Sequence, residues 1–193
     1  MLKMNLDFGY LLKTIGTIQW LIELKNLLSQ NFIKMIKTNI YLYLDDVRIP
    51  KDERWEVVTS YDEFVNHIEL NGIENYDCIS LDHDLGEEAM REYYSNVKPN
   101  GFIEYNNIGE KTGLDCAKYL TSTALSKKTE LPKVYCHSAN PVGARNIMNH
   151  INSYLHSVGR EEFCRMVRIE HTYRELAEEI INTRLAIKQG DLK

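Results

Sequence analysis

Ile40-Tyr41-Leu42-Tyr43-Leu44-Asp45-Asp46 is the stretch that decides the fold. Acidic residues are poor in a strand interior, so the Asp pair marks where an apolar strand surfaces. The same pattern returns in Cys78-Ile79-Ser80-Leu81, which runs into Asp82-His83-Asp84. In a parallel α/β sheet such strand ends are where ligands bind. Carboxylates converging there require a cation, a proton or a phosphate to offset their repulsion.

Outward from these two strands, the chain alternates strand and helix patterns. Strand 1 is read over 39–44 and strand 2 over 55–59. A helix follows from Tyr61 to about Leu70, with Ser60 as N-cap and Asn71-Gly72 as its end. Strand 3 is read over 77–81, and the polar, Asn-, Gly- and Tyr-rich residues 86–111 as a long loop. A helix from Gly113 to about Ala124 precedes strand 4 over 133–137. Pro141 opens a helix to about Val158; strand 5 falls near 164–169, and a last helix near 172–188. Alternation of this kind predicts a parallel sheet between two helical layers. About ten residues separate strands 1 and 2, near the minimum for a parallel crossover, so the first helix is reduced or absent.

Residues 6–33 carry Leu11, Leu12, Ile15, Ile18, Leu21 and Ile22 at helical spacing. The expected organisation is a helical extension over 1–38 and a single α/β domain over 39–193. The extension is read as packing on the domain, with contact to a partner helix or a membrane surface as the alternatives, and Met35 is an alternative start. With 193 residues, 44% hydrophobic and 26% charged, the chain suits one globular domain. A net charge of −5 argues against general DNA binding. Cys78, Cys116, Cys136 and Cys164 are widely spaced without a CxxC, which fits packed free thiols and a cytoplasmic setting. No stretch reaches the length of a membrane span, and no signal peptide is read.

Asp45, Asp46, Asp82 and Asp84 are the candidate metal ligands, because oxygen donors of this kind suit Mg²⁺ or Mn²⁺. A single Asp at a strand end is ordinarily a cap or a solvated loop residue; two clusters on separate strands favour a site. His83 and His137 are candidate acids, each with a buried structural role as the alternative. Ser138 and Asn140, before the Pro141 helix, are candidates to hold phosphate oxygens, and capping is compatible with that role. Arg48 offsets the carboxylates or clamps phosphate, with a surface ion pair as the plainer reading. Tyr93, Tyr94, Phe102 and Tyr105 either stack a base or pin the loop.

These residues carry a family resemblance. Leu42-Tyr43-Leu44-Asp45-Asp46-Val47-Arg48-Ile49-Pro50, Ser80-Leu81-Asp82-His83-Asp84-Leu85-Gly86, Thr112-Gly113-Leu114-Asp115 and His137-Ser138-Ala139-Asn140-Pro141-Val142-Gly143 occur in order. Together they resemble the cyclic-phosphate processing receiver domains, relatives of response-regulator receivers, over about residues 39–158. The resemblance implies a three-layer, flavodoxin-like sheet of order 2-1-3-4-5 and a Mg²⁺ pocket. It also implies removal of cyclic phosphate from RNA ends or nucleotides, in repair or conflict systems. Asp46 then takes a metal-ligand position, Asp82 the phosphoacceptor position and Ser138 the hydroxyl position. The Lys-Pro that ends strand 5 of a receiver is missing: the stretch reads Arg168-Ile169-Glu170-His171-Thr172. That departure favours hydrolysis over a phosphorelay switch.

The resulting expectation is a Mg²⁺-dependent phosphoesterase for 2′,3′-cyclic phosphates on a nucleotide or RNA end. His83 or His137 is its acid, Ser138, Asn140 and Arg48 bind phosphate, and Asp82 is either a metal ligand or a covalent nucleophile. The alternative is a non-catalytic receiver-like module that binds Mg²⁺ and a phosphorylated partner.

Overall fold

The computed structural model describes residues 40–173. The expected helices over 6–33 and from 174 onward lie outside the described residues.

The sheet comprises β1 (Ile40–Leu44), β3 (Trp55–Val58), β4 (Tyr76–Leu81), β5 (Lys133–Cys136) and β6 (Arg165–Met166), all parallel, in the order β3-β1-β4-β5-β6. Setting aside the short β2 (Arg48–Pro50), which lies outside this sheet, that is the expected 2-1-3-4-5. Side chains alternate along each strand. Leu42, Leu44, Ile79, Leu81, Val134 and Cys136 enter one core. At the alternate positions Tyr41 is level with Trp55, and Tyr43 with Ser80 and Tyr135.

Three helices supply the other half of that core: α1 (Tyr61–Asn71), α3 (Gly113–Lys127) and α4 (Pro141–Ser157), with α3 packed against both α1 and α4. In α1 the Ser60 hydroxyl accepts the Glu63 N–H, and Gly72 closes the helix at φ 79°, where a Cβ would be strained. Phe64 and Ile68, one turn apart, are its buried stripe. Full burial of each side chain contributes ~1.5–3 kcal/mol. In α3 a capping box joins Thr112 and Asp115. In α4 the stripe is Ala144, Ile147, Ile151 and Leu155.

Between β1 and β3 there is no helix. The ten-residue connection instead contains β2, which pairs antiparallel with β7 (His171–Tyr173) in a separate two-stranded sheet. The last helix therefore does not begin at Thr172, which pairs with Ile49. Strand 5 is also shorter than 164–169: its ladder covers Tyr135↔Arg165 and Cys136↔Met166, after which the chain leaves for β2.

The largest departure is residues 86–111, which are helical over much of their length. Helix α2 (Glu87–Glu92) continues into a π-helical stretch (Tyr93–Val97) and a last turn (Lys98–Asn100); a 3₁₀ turn follows at Tyr105–Asn107. Carboxylates, not a large apolar face, hold this segment. Glu92, buried, accepts from the Glu104 N–H and from Asn96 and Asn107. Glu88 accepts from the Gly109 N–H and Glu110 from the Ala89 N–H. A polar segment organised this way carries no helical hydrophobic period to read.

All four cysteines are free and buried, and burial pushes Cys78, Cys136 and Cys164 up to about 12. Among the described residues no helix is long and apolar enough to cross a membrane.

Candidate functional site

Leu44, Leu81 and Cys136 lie level across three neighbouring parallel strands. The next residues, Asp45, Asp82 and His137, therefore emerge side by side. The Asp82 N–H donates to the Leu44 carbonyl and the His137 N–H to the Leu81 carbonyl, which fixes all three at the sheet rim.

Asp45 is fully buried and fully engaged. Its Oδ1 accepts the Val47 N–H at 2.9 Å and the Arg48 N–H at 2.6 Å, which sets the turn into β2. Its Oδ2 meets Arg48 Nε at 2.6 Å, His137 Nε2 at 3.1 Å and the Tyr43 hydroxyl at 3.3 Å. Arg48 spans the site: its guanidinium reaches Asp82 Oδ1 at 3.1 Å and the His137 carbonyl at 3.3 Å. The Asp82 Oδ1 contact is an ion pair; the atom is buried and takes no well-directed hydrogen bond. One oxygen each of Asp45, Asp46 and Asp82 lies within 4.8 Å of the others.

These groups line a cavity of about 320 Å³ together with Asp84 and Ser138. The rest of its lining includes Met90, Tyr93, Tyr94 and Tyr173. Behind it runs a second network. His83 Nδ1 bonds Asp84 at 2.6 Å, and its Nε2 meets the Tyr105 hydroxyl, which also takes the Asn146 amide. The Asn140 amide nitrogen reaches both Asp84 oxygens at 3.1 and 3.2 Å.

With this geometry in place, the comparison that decides the family is direct: residues 40–153 match the family model described as the cyclic-phosphate processing receiver domain. The chain belongs to that family. Nothing among the curated proteins or the solved structures matches it.

The electrostatics of this receiver domain sort its carboxylates. Burial works to raise the Asp45 pKa, but the hydrogen bond from His137 and the Arg48 charge outweigh it and hold it low. Asp46 is pushed up to about 6, by burial first and then by the charges of Asp45 and Asp82. Asp82 is raised chiefly by its own burial, with Arg48 opposing. Burial also lowers His137, so its imidazole is neutral. Neutral imidazole accepts at one nitrogen and donates at the other. The ionised Asp45 carboxylate can only accept, so Nε2–H is the donor to it, and Nδ1 accepts from the Ser80 hydroxyl 2.7 Å away. The Tyr43 ring stacks on the imidazole at 4.1 Å.

The donor set fits a divalent cation. All three groups are hard oxygen donors gathered at one place, and a cation there offsets the repulsion of Asp45 and Asp82 that adds to burial in raising Asp46. Asp45 has spent its lone pairs on five contacts. Asp45 therefore positions Arg48 and the turn into β2.

Several sequence expectations change here. Asp84 lines the cavity but stands apart from the three-carboxylate group, held by His83 and Asn140. Neither His83 nor His137 lines the cavity; both rings are buried behind it, His83 beneath Gly143 and His137 against Tyr43. An acid role for either at the phosphate does not suit that placement. Asn140 has no amide group to spare for phosphate, because its Nδ2 donates to Asp84 while its Oδ1 caps the Val142 and Gly143 N–H groups. Those N–H groups, expected to be open to an anion, are thereby occupied. Arg48 is no surface residue but an internal counter-charge. Of the four aromatic candidates, Tyr93 and Tyr94 line the cavity, Tyr105 bonds His83, and Phe102 is exposed. Sequence reading missed Ser80, Met90 and Tyr173. Ser80 was legible as the polar residue inside an apolar strand; Tyr173 was not, since only the β2–β7 pairing brings it there.

Proposed function

We propose that this receiver domain is a metal-dependent phosphoesterase that opens 2′,3′-cyclic phosphates. The observation that carries the reading is Asp46 and Asp82, both raised in pKa, beside the Arg48 guanidinium in a cavity large enough for a phosphate ester. Asp46 and Asp82 would hold Mg²⁺ or Mn²⁺, which would neutralise charge at the phosphate and activate the attacking water. Arg48 keeps Asp82 oriented and adds positive charge where a phosphoryl oxygen sits. Ser138, which lines the cavity, offers a hydroxyl to a non-bridging oxygen. Asp84 stands on the cavity wall, held from behind by His83 and the Asn140 amide. Water adds to phosphorus, the bond to one ribose oxygen breaks, and that oxygen takes up the proton the water loses. The product is a phosphate monoester.

The departure from the receiver pattern supports hydrolysis over switching. A receiver's strand-5 Lys contacts the phosphorylated Asp; here the cation beside Asp82 comes from β2 instead, as Arg48. The test is turnover of a 2′,3′-cyclic nucleotide across a Mg²⁺ titration. The wild type should turn over. Asp82→Asn, with unchanged circular dichroism, should lose at least ~100-fold in kcat/KM, the scale of a lost charge-stabilising group. Equal turnover by Asp82→Asn contradicts the proposal.

A further inference from the structure

The cavity that gathers the carboxylates is lined elsewhere by rings. Tyr93 and Tyr94 come from the π-helical stretch after α2, and Tyr173 from β7; Met90 joins them. Tyr94 is 60% exposed and Tyr173 56%. Large rings left open beside a charged cavity are the usual mark of a ligand surface. Local contacts hold the rings in place without closing the cavity. Tyr93 and Tyr94 meet edge to face at 5.2 Å, and the Lys98 ammonium lies 5.4 Å from the Tyr94 ring centre. The Tyr173 ring meets His171 edge to face at 5.7 Å.

Resting on the phosphoesterase reading, we infer that this aromatic wall is a base-stacking subsite, so that the substrate is a cyclic phosphate carrying a nucleobase. A phosphate satisfies the carboxylate and guanidinium end but leaves the rings without a partner. A base attached through its ribose meets both. The cavity, about 320 Å³, stands at the small end of ligand pockets, which suits one terminal nucleotide rather than a run of several. The subsite stacks without reading the base. Asn140, the one carboxamide in the lining, is bound to Asp84 and to the α4 N–H groups, so no side-chain amide is left to pair with a base edge. Stacking then ranks bases by ring area, purine above pyrimidine.

The test compares the full chain on three substrates: 2′,3′-cyclic AMP, 2′,3′-cyclic CMP and glycerol 1,2-cyclic phosphate, which has no base. The wild type should prefer the adenine substrate over the glycerol one by about tenfold or more in kcat/KM, with cytosine between them. In Tyr94→Leu and Tyr173→Leu, both at exposed positions, that adenine-to-glycerol ratio should fall by about fivefold to tenfold. A wild-type ratio near one, or a ratio untouched by both variants, overturns the subsite while leaving the phosphoesterase standing. A second readout is independent of turnover: quenching of tyrosine fluorescence by 3′-AMP, lost in the Leu variants. Quenching without hydrolysis of any cyclic phosphate keeps the subsite and removes the phosphoesterase; no quenching in the wild type overturns the subsite.

Discussion

Replacing Asp46 with Asn should stabilise this protein in the absence of metal and weaken its response to metal. Asp46 is half-buried beside Asp45 and Asp82, and its pKa is pushed up to about 6, from an ordinary value near 4. A raised carboxylate pKa means that the folded state binds the proton more tightly than the unfolded chain. The favourable contribution is therefore complete below pH ~4 and is lost as pH rises through about 6. A shift of about two units corresponds to ~3 kcal/mol at full burial. Asp46 is partly open to solvent, so screening reduces this to ~1 kcal/mol. Asn keeps the shape and removes the charge. In EDTA at pH 7, Asp46→Asn should raise Tm by ~3 °C, and at pH 4 it should give no gain. Mg²⁺ at a hundred times Kd should stabilise the wild type by ~2.7 kcal/mol and the variant by much less. A metal-free variant less stable than the wild type at pH 7, or one with an undiminished Mg²⁺ shift, refutes the reasoning.

Three further outcomes follow from the same geometry. Gly143→Ala should destabilise by at least ~3 kcal/mol in a denaturant titration, because a Cβ there overlaps the fully buried His83 ring and neither ring nor helix has room to yield. His137→Gln should lower stability by ~2 kcal/mol through its buried contacts with Ser80, Asp45 and Tyr43. It should leave the acid limb of the pH–rate profile where it is, because the ring does not line the cavity. Asp84→Asn should lower stability by ~2 kcal/mol in a denaturant titration, because it removes the charged acceptor that holds the buried His83 ring and the Asn140 amide.

The parallel sheet was legible because each strand announces its end with a charge. Leu44-Asp45, Leu81-Asp82 and Cys136-His137 are the same event on three strands, and in-register pairing makes them one rim. The capping residues Ser60 and Asn140 were legible for a similar local reason. What a side chain does at the rim was not. His83 and His137 look identical to catalytic histidines in sequence, and their burial depends on Gly143 and Tyr43, distant in the chain. Residues 86–111 concealed their helices because hydrogen-bonded glutamates, buried Glu92 among them, hold them. Tyr173 joined the cavity only through a strand pairing that spans more than a hundred residues.

The central claim is that the paired carboxylates of this receiver domain, loaded with a divalent cation, open a cyclic phosphate. Phosphorus NMR of a 2′,3′-cyclic nucleotide incubated with the full chain tests it most directly. With Mg²⁺, the cyclic-phosphate resonance should give way to that of a monoester, and EDTA should abolish the conversion. An unchanged cyclic resonance, under conditions where Mg²⁺ demonstrably raises the Tm of the same sample, would contradict the account.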